Sequence, residues 1–246
     1  MKILTLNTWQ ELGAPWRDRW EVTFEEVERL RPQIAAFQEL FNRSWAETVQ
    51  KQAGFSTLIF PEENCGLALY TNLPAASWGI QKLTQSPLEE YFRSVLWARL
   101  NVGRESLYFF NTHLSWKLED GATRRKQVQE VLRLIEEKSS GKEALLVGDL
   151  NAPPDSEEIQ TLIREGGFRD TFALCHPGEA GLSWDNRNPY AGGSHHKMPD
   201  RRIDYILARG SGPLLKNLKS SDLIFTAPDS KGFWASDHFG LLAEFQ

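Results

Sequence analysis

Residues 145–154 read LLVGDLNAPP. Three apolar residues and a glycine run straight into an Asp-x-Asn pair, and two prolines follow. A short apolar run closed by turn residues marks a buried strand, so 143–149 is predicted as one. Asp149 and Asn151 then stand at its carboxyl end. Gly148 lets the backbone approach a neighbour closely. Gly, Asp, Asn and Pro all favour a turn, and the turn aims the two polar side chains. The same layout, an apolar strand ending in acid, amide or imidazole, recurs outward in both directions. It is found in LTLNTW (Asn7), AAFQEL (Gln38, Glu39), FFNTHLSW (Asn111, His113) and WASDHFGL (Asp237, His238). RRIDYIL is similar, with Asp204 inside a short strand.

Between these motifs strands and helices alternate. Strands are predicted at 2–7, 33–38, 56–60, 66–71, 93–101, 105–112, 143–149, 201–208, 222–226 and 239–245. Helices are predicted at 18–31, 44–54, 122–138 and 155–165. Trp20, Phe24, Val27 and Leu30 make one face of the first helix, and Pro32 stops it. Ser44 is the N-cap candidate of the second, with Gly54 as its stop. Val128, Val131, Leu132 and Ile135 make the apolar face of the third, with Gly141 just past its end. Residues 176–200 are rich in Gly, Pro, Asn and His and read as a long loop, a length that tends to be functional. No linker-like boundary or repeat interrupts the series, so 1–246 is expected to be a single α/β domain. In such sheets, groups at one set of strand ends converge on a common crevice. A crevice of carboxylate, amide and imidazole suits a hard, oxygen-ligated cation and a phosphate ester.

Composition narrows the class. The chain carries 28 Lys+Arg against 33 Asp+Glu, a net charge of −5, which disfavours a non-specific binder of long duplex nucleic acid. No apolar run approaches the ~18 residues of a membrane span. The segment MKILTLNTWQ lacks the apolar stretch of a secretory signal and reads as a first strand. Cys65 and Cys175 form no CxxC pair and read as reduced thiols, so a cytoplasmic protein is expected. A monomer is expected.

GDLN, RIDYI and SDH, in that order and with QE and NTH before them, resemble the endonuclease/exonuclease/phosphatase superfamily of metal-dependent phosphoesterases. The resemblance runs from Asn7 to His238. It implies a four-layer α/β/β/α, DNase-like sandwich of two mixed β-sheets. It also implies an Mg²⁺-dependent phosphoric ester hydrolase, with Mn²⁺ a possible substitute.

Carried over by motif, the resemblance makes Glu39 the principal metal ligand, with Asn7 and Asp237 ligating the ion or holding its waters. Asp149 and Asn151 would orient the attacking water and the phosphate. His238 would contact the scissile phosphate and Asp204 would orient it, a pairing that favours imidazolium. Either His238 or Asp149 could be the base. His113 would be a second phosphate-side imidazole. Some family nucleases place before the GLALYT strand a Glu that pairs with this His. The corresponding residue here is Asn64, which weakens a general-acid role for His113. Arg93 is expected to brace the site.

The substrate stays open at this point. SDHFGL leans toward the sphingomyelinase-like and tyrosyl-DNA phosphodiesterase branches, so a nucleic acid and a small-molecule or lipid phosphodiester are both possible. Trp9, Trp116, Trp184 and Trp234 lie near site residues or in the long loop. Exposed aromatics there could stack single-stranded or modified nucleic acid. Trp116, Trp184, Arg93 and Arg202 are taken as substrate-binding candidates. Arg201 and Arg202 could each hold a phosphate or could simply end a solvated strand. His195-His196 is a weaker metal candidate than a substrate-facing loop. The alternative reading is a catalytically silent binding module with the same fold.

Overall fold

Strands that are apolar on consecutive residues must bury both faces. Here they do so by pairing into two six-stranded sheets stacked between helices. The structure, a computed structural model, describes residues 1–246 except 10, 12, 63–64, 194–197 and 211. In chain order the first half holds β1 (Lys2–Asn7), α1 (Trp16–Leu30), β2 (Ile34–Gln38), α2 (Arg43–Ala53), β3 (Thr57–Ile59), β4 (Ala68–Thr71), β5 (Ala75–Lys82), β6 (Ser94–Val102) and β7 (Glu105–His113). The second half holds α3 (Gly121–Ser139), β8 (Ala144–Asp149), α4 (Glu157–Arg164), β9 (Arg169–Asp170) and α5 (Thr171–Cys175). It ends with α6 (Pro189–Gly192), β10 (Asp204–Arg209), α7 (Pro213–Lys216), β11 (Leu218–Ile224) and β12 (Gly240–Phe245).

One sheet has the order β11-β12-β1-β2-β4-β3 and the other β5-β6-β7-β8-β10-β9. Side chains alternate across each strand, and the sequence uses both sides. Ile3, Ile34 and Leu69 pack with Phe109, Leu145 and Ile206 in the core shared by the sheets. Leu4, Phe37 and Tyr70 pack outward with Trp20, Val27 and Val49 of α1 and α2. Phe110, Leu146 and Tyr205 pack outward with Val131, Ile135, Ile159 and Leu162 of α3 and α4. This is the α/β/β/α sandwich that the family resemblance implies. No helix among the described residues is long and apolar enough to cross a membrane.

Register explains why the polar motifs meet. β1 and β2 run parallel with Asn7 opposite Gln38. β7 and β8 run parallel with His113 opposite Asp149. β10 is antiparallel to β8, so its first residue, Asp204, faces Asp149 at the last residue of β8. β12 is antiparallel to β1, which brings the 236–238 segment before it to the Asn7 end. Gly148 (φ 128°) sits where a Cβ would lie 2.0 Å from the Thr112 carbonyl oxygen, so the β7–β8 pairing requires glycine there.

Some boundaries differ from the sequence reading. The sequence carries no strand signal for β5: AASWGIQK is an edge strand, half-exposed and of mixed polarity, with no apolar run to mark it. Nor does it carry a helix signal for α5, which is one turn long. β11 spans 218–224 rather than 222–226. The strand predicted over 201–208 begins at Asp204, because Arg201 instead forms an isolated bridge with Trp184. α2 is capped by Asn42, whose side chain accepts from Trp45 N, and not by Ser44. α3 ends on a left-handed Ser140, one residue before Gly141.

Candidate active site

The strand ends deliver Asn7, Glu39, His113, Asp149, Asp204 and, from the turn before β12, Asp237 and His238 to one edge of the sandwich. Asp149 is the hub. Its Oδ2 accepts from Asn7 Nδ2 at 3.1 Å and lies 3.3 Å from His113 Nε2 and 3.8 Å from His238 Nε2. Its Oδ1 accepts from Asn151 N at 2.9 Å, closing the turn after β8. Asn151 Nδ2 donates to Leu114 O at 3.1 Å. Glu39 and Asn151 both take left-handed backbone conformations, φ 56° and 49°, a region asparagine enters readily in turns but glutamate seldom does.

His238 Nδ1 is 2.8 Å from Asp204 Oδ2. Burial works against its charge, but Asp204 and Asp149 overcome burial and raise its pKa to about 10, so it is an imidazolium. His113 is the opposite case. Burial, reinforced by the Arg93 charge and opposed by Asp149, lowers it to about 3, so it is neutral. Asn64, the residue expected to partner His113, lies outside the described residues, as do His195 and His196.

Glu39 has the environment of a metal ligand. Its Oε1 accepts from Asn7 Nδ2 at 3.1 Å, while its buried Oε2 has no hydrogen-bond partner among the described residues. Burial, with Asp237 as a like-charged neighbour, raises its pKa to about 7. Burial likewise raises Asp237. Two partly desolvated carboxylates and an orphaned oxygen fit a divalent cation, which would offset both penalties. Asp149, Asp204 and His238 also cluster closely enough to chelate, and Asp204 Oδ1 is likewise buried without a partner among the described residues, while the hydrogen bond between Asp204 and His238 occupies Asp204 Oδ2 and His238 Nδ1. Glu39 with Asp237 could hold an ion without breaking that hydrogen bond.

This predicts a pH-dependent response to Mg²⁺. Glu39 is raised, so metal-free protein loses stability as pH climbs from the ordinary 4.5 through about 7. A cation binds the ionised form and reverses that loss. The rise in Tm on adding Mg²⁺ is expected to be larger at pH 8 than at pH 5.5 by differential scanning fluorimetry. An equal rise at both pH values would remove Glu39 from the site.

The substrate-side candidates separate. Trp184 is buried with its ring edge-on to His238 at 5.0 Å, and its Nε1 lacks a partner among the described residues. Half-buried Trp116 packs with Trp184, Met198 and Ile203. Arg93 Nε is paired with Glu89 at 2.7 Å, and Glu89 also accepts from Trp116 N at 2.7 Å, so the pair holds the strand-end loop after His113. Arg202 is not brought to the cluster. Its guanidinium is buried on Asp170 and lies over the rings of Phe172 and Tyr205. Asp170 in turn caps α5 through Phe172 N and Ala173 N. Breaking a buried pair leaves an uncompensated charge, so Arg202→Met is expected to destabilise the fold by about 3–5 kcal/mol, measured by urea unfolding.

Two residues escaped the sequence reading. Arg19 is buried behind the site and donates to the carbonyls of Thr8 (3.0 Å), Trp9 (2.5 Å), Gly13 (2.9 Å) and Ala235 (3.2 Å), tying the loop after β1 to the segment before Asp237. A charged residue beside Trp20 on the apolar face of α1 was its only sequence signal. Ser236 Oγ donates to Asn7 O at 2.6 Å and accepts from His238 N at 3.2 Å. That serine stands in the SDH motif, but the motif by itself gives it no partner.

Comparisons with known proteins agree with this geometry. A model of the Endonuclease/Exonuclease/phosphatase family matches residues 4–238. Tyrosyl-DNA phosphodiesterase 2 of Mus musculus is 23% identical over 220 residues, 86% of this chain and 56% of that protein. The Gallus gallus protein of the same name is 27% identical over 203 residues, 80% and 54%. The chain thus spans about half the length of the curated relatives it matches. Among solved structures, D. rerio TDP2 complexed with single strand DNA product superposes with a TM-score of 0.84 at 18% identity, covering 100% of this chain and 98% of that one. With a family match over nearly its whole length and its polar strand ends gathered at one edge of a two-sheet sandwich, the chain belongs to the endonuclease/exonuclease/phosphatase family.

Proposed function

We propose that this protein hydrolyses a phosphodiester by in-line attack of water, with Mg²⁺ as the resident ion and Mn²⁺ as a substitute. The observation that carries the reading is the convergence of Asn7, His113 and His238 on one carboxylate, Asp149, beside the unsatisfied Glu39.

Glu39 and Asp237 would hold the ion with Asn7 beside it. There the ion would supply Lewis-acid neutralisation of the phosphoryl and leaving oxygens. Asp149 orients the attacking water and takes its proton. Already protonated, His238 is a poor base, and it instead offsets charge developing on the phosphoryl oxygens through Nε2 while Asp204 holds Nδ1. Neutral His113 donates a hydrogen bond and does not serve as general acid. Asn151 positions the phosphate from its constrained turn. Arg93 and Trp116, joined through Glu89, shape the leaving-group side, and Trp184 walls the pocket against His238.

Of the possible substrates, a phosphodiester attached to single-stranded or modified DNA is favoured over a lipid. The relatives named tyrosyl-DNA phosphodiesterase 2 and the half-buried Trp116 support it, since a ring with an accessible face can stack a base. The two free cysteines support a cytoplasmic location. We take residues 1–246 to act as one domain and as a monomer.

Hydrolysis of bis-p-nitrophenyl phosphate, p-nitrophenyl phosphate and a 5′-tyrosyl oligonucleotide, each with and without Mg²⁺, tests the reading. Metal-dependent cleavage of the diesters is expected. Cleavage of the monoester alone would make the protein a phosphatase. Inertness toward all three, with no Mg²⁺ binding, would favour the silent binding module.

A further inference from the structure

Arg201 is a buried cation that makes no ion pair among the described residues, although Asp149 and Asp204 lie near enough to act on its charge. It sits three residues before β10, and its backbone exchanges two 2.9 Å hydrogen bonds with Trp184, the residue whose ring meets His238. Only 8% of it is exposed. Its Nε has no hydrogen-bond partner among the described residues, and no ion pair among them includes it. A guanidinium carries five donors and is costly to bury unmatched.

The other arginines around this edge each have a terminal or Nε donor engaged, although Nε of Arg19 and of Arg202 also has no hydrogen-bond partner among the described residues. Arg124 is held by Glu158 and by the carbonyls of Ser115, Lys117 and Leu118. Arg202 has Asp170, Arg93 has Glu89, and Arg19 has four carbonyls. The acids nearest Arg201 have other duties. Asp149 serves Asn7, His113 and Asn151, and Asp204 serves His238. Burial lowers the Arg201 pKa first of all. Asp149 and Asp204 act against burial, while the neighbouring Arg124 charge adds to its effect. An arginine pushed by a second arginine, and facing carboxylates that are already committed, still lacks an acceptor of its own.

We propose that Arg201 is a substrate-binding residue of this site, donating its guanidinium N–H groups to oxygens of the substrate's phosphate. The assignment rests on the phosphodiesterase reading for its choice of ligand. A planar fork of donors matches two phosphate oxygens at once. It also places the phosphate-holding arginine at 201, one residue before the arginine the strand motif draws attention to.

The test is calorimetric titration of the full chain with inorganic phosphate in the presence of Mg²⁺, for wild type, R201K and R201Q. R201Q is expected to weaken phosphate binding about 10–100-fold, the value of hydrogen bonds to a charged group. R201K should fall between, keeping charge without the fork. Mg²⁺ affinity should stay at its wild-type value, Tm should hold or rise because an unmatched buried charge is removed, and KM for a cleaved diester should rise more than kcat falls. R201M carries the same reading should R201Q fail to fold. Phosphate binding in R201Q within twofold of wild type, or no phosphate binding by wild type, would overturn the assignment. So would a joint loss of Mg²⁺ affinity and Tm, the mark of a brace for Asp149. Because this titration needs no turnover, a wild type that binds phosphate through Arg201 yet cleaves no diester would sink the proposed activity alone.

Discussion

Asp149→Ala is expected to lower kcat for diester hydrolysis by about 10³-fold or more while the chain stays folded. Two roles are lost at once. The carboxylate that orients the water disappears, and so does the shared acceptor that holds Asn7 Nδ2 and His113 Nε2 within 3.1 and 3.3 Å. The Asn151 turn also loses the bond from Asn151 N to Asp149 Oδ1. Asp149→Asn separates these effects, since it keeps the shape and removes the charge. If the charge matters most, the asparagine variant falls nearly as far as the alanine one. The measurement is kcat and KM on bis-p-nitrophenyl phosphate, with a thermal melt to show that the fold persists. An alanine variant retaining a tenth of wild-type kcat would remove Asp149 from the chemistry.

Glu39→Gln is expected to weaken Mg²⁺ binding at least about 100-fold, because even the outer partners of a metal ligand are worth about 10–100-fold. The substitution keeps volume and keeps an acceptor for Asn7. It removes the charge that burial and Asp237 hold at a pKa of about 7. The metal-free variant should therefore be more stable than metal-free wild type above pH 7, and its Tm should no longer respond to Mg²⁺. Calorimetry and thermal melts read both. Wild-type Mg²⁺ affinity in this variant would move the ion to the Asp149, Asp204 and His238 cluster.

How far the sequence could be read followed local chemistry. LLVGDLN announces a buried strand and a polar turn within seven residues, and β8 and Asn151 stand where that reading puts them. Ile3–Leu4, Phe109–Phe110 and Leu145–Leu146 are apolar at consecutive positions, which already requires a layer on each side of the sheet. β5 escaped because an edge strand need not alternate cleanly or bury a face. Arg19 and Ser236 escaped because their partners are backbone carbonyls and amides of segments distant in the chain, and a carbonyl has no sequence signature.

The sequence by itself determined the alternation of strands and helices and the set of polar groups destined for one edge, since apolar runs and strand-ending turns are local properties, while the four-layer sandwich was implied by the resemblance of its motifs to a family. Only the tertiary structure decided how those groups divide the work. Parallel pairing of β7 with β8 and antiparallel pairing of β10 with β8 put His113, Asp149 and Asp204 in one plane of contact. Neighbouring carboxylates then made His238 a cation against its burial, while burial left His113 neutral and Glu39 a reluctant anion. The adjacent pair Arg201 and Arg202 shows the same division. The two are identical in chemistry and adjacent in sequence. Packing paired Arg202 with a carboxylate and left Arg201 Nε with no hydrogen-bond partner among the described residues, because which acceptor a side chain meets depends on the segments folded against it.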